Sequence, residues 1–270
     1  MSNLQLRVVS AIVLAAAVLV LTWRGGGPFR LLSVLIAGAM FFEWCRMSRT
    51  SSRGMNQVVA SIPFGIAMFA LLAGVQAQIV WLILLLGLAA TIAHAKMTQA
   101  DWWASGGLAY AGFSGLALAF LRGDDGRGLA AILFLFAVVW STDILAYFVG
   151  RAVGGPKLAP AISPGKTRSG AVGGLVGGAL AAILLVLWLG LGSLLAYLLL
   201  AVILSALSQI GDLFESWVKR RHGVKDSSQL IPGHGGVMDR VDGLVVAALA
   251  MYIIGAIADG LNFPAHGLFG

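Results

Sequence analysis

Carboxylates and cations crowd into one stretch of this chain. Asp212, Glu215, Asp226, Asp239 and Asp242 are five of its 11 acidic residues, and Lys219, Arg220, Arg221, Lys225 and Arg240 stand among them. Carboxylates brought together at a membrane boundary suit a hard cation such as Mg²⁺, which prefers a few fixed oxygen ligands completed by water and phosphate oxygens. The neighbouring cations neutralise anionic substrate oxygens. Pro232-Gly233-His234-Gly235-Gly236 offers backbone with little side-chain bulk, so a ligand can approach closely. This pattern predicts a metal–polyphosphate site, with Asp212 ending one apolar segment and Asp239 beginning the next. A solvated loop with scattered ion pairs would not need a Gly-His-Gly-Gly turn. His234 could serve as a base, a hydrogen-bond donor or a turn residue. His94, His222 and His266 show no metal-ligand spacing.

A second polar stretch, 150–170, contains Ser163-Pro164-Gly165-Lys166-Thr167 just before a glycine-rich apolar run. Lysine, hydroxyls and free N–H groups at a helix start can meet phosphate oxygens. It is not a P-loop, because Pro160 stands where the first glycine of that motif belongs. As a basic loop it also obeys membrane topology, and that reading stays open. Gly173-Gly174 and Gly177-Gly178 read as close helix packing. Asp143 lies inside an apolar span, where a carboxylate costs about 2.5–3.5 kcal/mol at mid-depth and less toward the end. Tyr147 and Arg151 follow on roughly the same helical face, so Asp143 is either half of a packing ion pair with Arg151 or a functional group.

These stretches must be held by membrane helices. Of 270 residues, 59% are hydrophobic and 11% charged, and mean hydropathy is +0.93. Soluble domains carry about 25% charged residues, so an ordinary soluble enzyme and a disordered chain are both excluded. The glycines show no collagen period. The expected fold is all-α, a single polytopic membrane domain over 1–270 with about nine transmembrane helices. The spans fall at 8–23, 29–45, two within 54–95, 102–121, 128–149, two within 169–211, and one from Asp242 to Ala258. The first is read as retained, because Trp23-Arg24-Gly-Gly-Gly is no signal-peptide cleavage site. With nine spans, all of the 18 Lys and Arg residues except Arg24, Arg30, Arg122 and Arg127 fall on the side of the N-terminus. That side is then cytoplasmic and the C-terminus lies outside. Cys45 is the only cysteine, so no intrachain disulfide forms. The net charge of +7 speaks to topology and anionic partners, not to nucleic acid.

Residues 216–240 resemble the signature of the phosphatidate cytidylyltransferases (CDP-diacylglycerol synthases). The matching positions are Ser216, Lys219, Arg220, Lys225, Asp226, Pro232, His234, Gly235, Gly236, Asp239 and Arg240, with Asp242 following. Asp143, Tyr147, Gly150-Arg151, Ser163-Pro164 and Lys166-Thr167 match upstream. Gly165 departs from the lysine that many members carry there. The first 120 residues resemble the family in hydropathy alone, which puts the catalytic region at 143–242. The resemblance implies that CTP and phosphatidate give CDP-diacylglycerol and pyrophosphate at a cytoplasmic membrane, with the site facing the cytoplasm and the protein a homodimer. It implies Mg²⁺ on Asp212 and Asp239, and a catalytic set of Asp143, Asp212, Asp239 and Lys219. Lys219, Arg220, Lys225 and Arg240 would hold phosphates, joined by Ser163, Lys166 and Thr167. Ser216, Asp226, His234, Gly235 and Gly236 complete the substrate-binding set. Asp143 would stand near the lipid headgroup and metal.

The competing readings are a transporter of anionic solutes and a cytidylyltransferase for another lipid phosphate, such as an ether lipid. A transporter does not account for five acids and five bases in one loop. A CDP-alcohol phosphotransferase is excluded, because Asp242-Gly243 is followed by Leu-Val-Val-Ala rather than the required Ala-Arg.

Overall fold

A computed structural model describes residues 3–48, 54–231, 233 and 235–270. Among the described residues nine long helices follow one another: α1 (Asn3–Arg24), α2 (Gly26–Ser48), α3 (Gly54–Leu72), α4 (Ala77–Thr98), α5 (Trp103–Arg122), α6 (Gly126–Val153), α7 (Arg168–Leu189), α8 (Leu194–Arg221) and α9 (Met238–Asp259). A last turn, α10 (His266–Phe269), closes the chain. Eight of the helices, α2 to α9, are long and apolar enough to cross a membrane, and the Val9–Arg24 part of α1 is a shorter apolar helix. The all-α membrane architecture expected from composition is therefore what forms.

Two departures matter for function. The stretch between α6 and α7 is a small antiparallel hairpin, β1 (Lys157–Ala159) with β2 (Ser163–Thr167), pairing Lys157 with Thr167 and Ala159 with Ser163. And α8 does not stop at Asp212 but continues to Arg221, so Asp212, Ser216, Lys219 and Arg220 ride on one rigid helix. Leu, Phe, Trp and Val keep the helical pattern alive among the charged residues, and no Gly or Pro falls between Asp212 and Gly223.

Because consecutive helices alternate in direction, the ends of α2, α6 and α8 meet the starts of α5, α7 and α9 at one end of the bundle. Trp44 Nε1 on α2 donates to the Trp103 carbonyl at the start of α5 (2.7 Å), and Trp44 also packs on Tyr110 and Phe214. At the opposite end Arg122 donates to the carbonyls of Trp23 (3.0 Å) and Asp125 (3.0 Å), closing the turns that join α1 to α2 and α5 to α6.

The tightest seam is between α6 and α7, and small residues make it possible. A Cβ on Gly170 would sit 2.6 Å from the Ala146 carbonyl oxygen, and one on Gly177 would sit 2.6 Å from Leu145. Lipid supplies no hydrophobic force between helices, so such close backbone approach is what holds the pair. Gly170→Ala should force the seam apart. The expected loss is about 1–3 kcal/mol of stability, read as a lower melting temperature in detergent. Gly165→Ala, whose added Cβ meets nothing within 4 Å, should melt as the parent does. Equal melting of the two variants would contradict this account of the seam.

Candidate active site

The seam carries the first half of the site. Asp143, Tyr147 and Arg151 on α6, Lys157 and Lys166 on the hairpin, Thr167, and Gln209 and Asp212 on α8 line a cavity of about 640 Å³. Lys166 forms an ion pair with Asp212, which also accepts from Ser216 Oγ at 3.4 Å. Arg151 donates to the Tyr147 hydroxyl (2.9 Å) rather than pairing with Asp143, so the packing ion pair does not form and Asp143 faces the cavity. Asp143 and Asp242 both lie within the electrostatic reach of Asp212. Three carboxylates from α6, α8 and α9 thus share a region, and Lys166 is ion-paired with one of them, Asp212.

Thr167 lines this cavity but has a structural task. Its buried hydroxyl accepts from Gly170 N (3.1 Å) and caps α7. Ser163 belongs to the β1–β2 pairing and does not line the cavity.

The second half is the loop between α8 and α9. Asp239 accepts from Lys219 Nζ (2.6 Å), Ser227 N (3.0 Å), Ser227 Oγ (2.8 Å) and Gly236 N (2.8 Å). Lys219 Nζ stands equally close to Glu215, whose carboxylate is fully buried, again at 2.6 Å. Four donors fill the usual acceptor capacity of one carboxylate. Asp212 and Asp239 are therefore held by different lysines, not by each other. Among the described residues no group of three or more Asp, Glu, His or Cys side chains encloses a metal ion.

Of the other expected residues, Arg220 donates to the Val224 carbonyl (3.0 Å) and closes the end of α8. Lys225, Asp226 and Arg240 are exposed at the loop and at the start of α9. His234 lies outside the described residues. Gly235 has φ +86°, a left-handed conformation that favours glycine. Gly236 is needed for a different reason: a Cβ there would fall 1.9 Å from Ser227 Oγ and 2.6 Å from Glu43 Oε1.

Glu43 and Tyr110 lie outside the expected set and also belong here. Glu43 on α2 is fully buried and accepts from Ser228 Oγ (2.5 Å), Met238 N (2.7 Å) and Val237 N (2.8 Å). A glutamate inside an otherwise apolar span was the available signal for it. The Tyr110 hydroxyl on α5 is buried with no hydrogen-bond partner among the described residues, and it feels the charges of Asp242, Glu215 and Asp212.

The cytidylyltransferase family model matches residues 5–258. This chain belongs to that family. It is 49% identical over 267 residues, 95% of each chain, to a phosphatidate cytidylyltransferase of Brucella abortus biovar 1 (strain 9-941). It is 30% identical over 244 residues to that of Staphylococcus epidermidis (strain ATCC 35984 / DSM 28319 / BCRC 17069 / CCUG 31568 / BM 3577 / RP62A), covering 88% of this chain and 94% of the relative. With the Bacillus subtilis (strain 168) protein of the same name it shares 39% identity over 138 residues, 51% of each chain.

The loop geometry makes two predictions. Gly236→Ala should cut activity about 100-fold, since a shift near 1 Å suffices for that; an undiminished rate would mean that the Ser227–Glu43 contact is dispensable. His222, just beyond α8, has its imidazole pushed down by burial and by Arg221, against the opposing pull of Asp101. Its buried Nε2 has no hydrogen-bond partner among the described residues, and its ring stands edge-on to Trp103 with the ring centroids 4.4 Å apart. The folded state therefore takes up a proton less readily than the unfolded chain, and stability should fall as pH drops through the ordinary histidine range near 6.5. His222→Gln should flatten that part of the melting-temperature profile between pH 7 and 5; an unchanged slope would assign it to other groups.

Proposed function

We infer that this chain transfers the cytidylyl group of CTP to phosphatidate, forming CDP-diacylglycerol and releasing pyrophosphate. The observation that carries the reading is the joining of two half-sites by one helix. Along α8, Asp212 faces the hairpin cavity and Lys219 faces the signature loop, and full-length relatives carry the corresponding name.

The attacking group is a phosphate oxygen of phosphatidate, already ionised near neutral pH because the second phosphate pKa is about 6. Its bond to the α-phosphorus of CTP forms as the bond from that phosphorus to the bridging oxygen breaks. The electron pair leaves with pyrophosphate, and no proton need move. The work left to the protein is alignment and charge neutralisation. Lys166, Lys157 and Arg151 at the cavity and Lys219 at the loop supply the positive charge. Asp239 and Glu215 fix Lys219 in place, and Asp212 does the same for Lys166.

Mg²⁺ fits the donor chemistry on one side of the site better than on the other. Asp212, Asp143 and Asp242 are hard oxygen donors within one another's electrostatic reach, with Lys166 ion-paired to Asp212. They do not form a closed cage, as suits an ion that completes its shell with water and substrate phosphates. Asp239 would have to give up Lys219 to reach such an ion and Asp212 would have to give up Lys166, but Asp212 has Asp143 and Asp242 beside it. We therefore assign the cation to Asp212 with Asp143 and Asp242 beside it, and Asp239 to the lysine and the loop. When bound, the ion would neutralise charge on the phosphates. The distribution of Lys and Arg supports a cytoplasmic placement of this end, with the N-terminus inside, and CTP is supplied from that side.

The test is an assay of the purified protein in micelles with phosphatidate, labelled CTP and Mg²⁺. Labelled lipid and pyrophosphate should form in equal amounts and EDTA should stop both. Asp212→Asn should lower the rate by about 10²–10³-fold, the range for loss of one electrostatic contact to the reacting phosphates. Absence of labelled lipid from a folded wild-type protein would overturn the reading.

A further inference from the structure

Glu43 lies on α2, far in sequence from every residue of the signature, in a run of Met40, Phe41, Phe42 and Trp44. A carboxylate buried there is costly unless its oxygens are met by donors. All of its donors come from one place. Ser227 Oγ lies at 3.2 Å, Ser228 Oγ at 2.5 Å, Val237 N at 2.8 Å and Met238 N at 2.7 Å. The first two begin the signature loop's return and the last two begin α9. The N–H groups at a helix start have no partner within the helix and carry its positive end. Val237, the residue preceding α9, makes no side-chain cap of its own. Glu43 caps α9 from another helix.

We propose that Glu43 is a positioning residue for the nucleotidyl transfer, acting through Asp239 and Lys219. Ser227 makes the link. Its hydroxyl stands 2.8 Å from Asp239 and 3.2 Å from Glu43. The hydroxyl is shared between the two carboxylates, with the shorter contact to Asp239, and Ser228 and the two backbone N–H groups hold Glu43 against the loop. Gly236 passes between the two carboxylates. Its own N–H goes to Asp239, and the space its Cβ would need is filled by Glu43 and Ser227. The position of Asp239, and so of the ammonium of Lys219, is set by how the loop sits on Glu43. A residue that merely packed α2 against its neighbours would be served by leucine.

This inference rests on the reaction proposed above, and the experiment separates the two. Wild type and Glu43→Gln are compared for kcat and for the KM of CTP and of phosphatidate, with thermal melting as the measure of folding. Glutamine keeps one acceptor oxygen but sets an amide donor against the N–H groups of α9. A folded variant should lose about 100-fold in kcat/KM for CTP, with the KM for CTP raised and that for phosphatidate little changed. A lower apparent kcat with an unchanged KM for CTP would report fewer active molecules and overturn the positioning role, as would full activity. If Glu43→Gln does not fold, Ser228→Ala decides. It removes one donor to Glu43, and it should raise the KM for CTP in a protein that melts near the wild-type temperature. An unchanged KM in that variant overturns the proposal. A wild-type protein that makes no labelled lipid would instead defeat the reaction itself.

Discussion

The Lys219 ammonium lies between two carboxylates, Glu215 and Asp239, each at 2.6 Å. A lysine at the edge of a membrane bundle would otherwise wander over several rotamers. Here both ends of its tether are rigid, because Glu215 shares its helix and Asp239 is pinned by Ser227 and Gly236. Breaking a buried pair by removing one partner costs more than the pair itself contributes, since the other charge is then left alone. The loop geometry, the two glycines and the cap from α2 all follow from keeping Asp239 where Lys219 needs it.

The other half of the site rests on backbone proximity. Glycines on α7 let α6 come close enough for Asp143 to face the hairpin cavity that Asp212 also lines. The hairpin then needs only its short pairing and the Thr167 cap to hold Lys166 against Asp212. The two halves meet along α8, where Ser216 and Glu215 lie between Asp212 and Lys219. A helix is the stiffest connection available to the chain, which suits a reaction that depends on alignment of two substrates.

Much of this was legible in the sequence because membrane insertion demands long apolar runs and because charge is scarce. The spans, the crowding of charge at 212–242 and the packing role of the Gly-Gly pairs could all be read from residue types. The end of α8 could not, since charged residues at 212–221 look like a loop although they keep helical spacing. The hairpin was hidden by its short length and its prolines. Asp239 reads as a metal ligand because sequence shows acids and not their donors; the four hydrogen bonds it accepts, one of them from Lys219, could not be read from residue types. Glu43 was missed for a simpler reason. It sat inside a span read only for hydropathy, although one acid in such a run is the signal that marked Asp143.

The most direct test of this account is a binding measurement that does not depend on turnover. The rise in melting temperature caused by CTP with Mg²⁺ would be compared among wild type, Lys219→Met, Asp239→Asn and the double variant, at one ligand concentration. If Asp239 acts through Lys219, each single variant loses most of the rise and the double variant loses no more. Losses that add, or an undiminished rise in Asp239→Asn, would contradict the account.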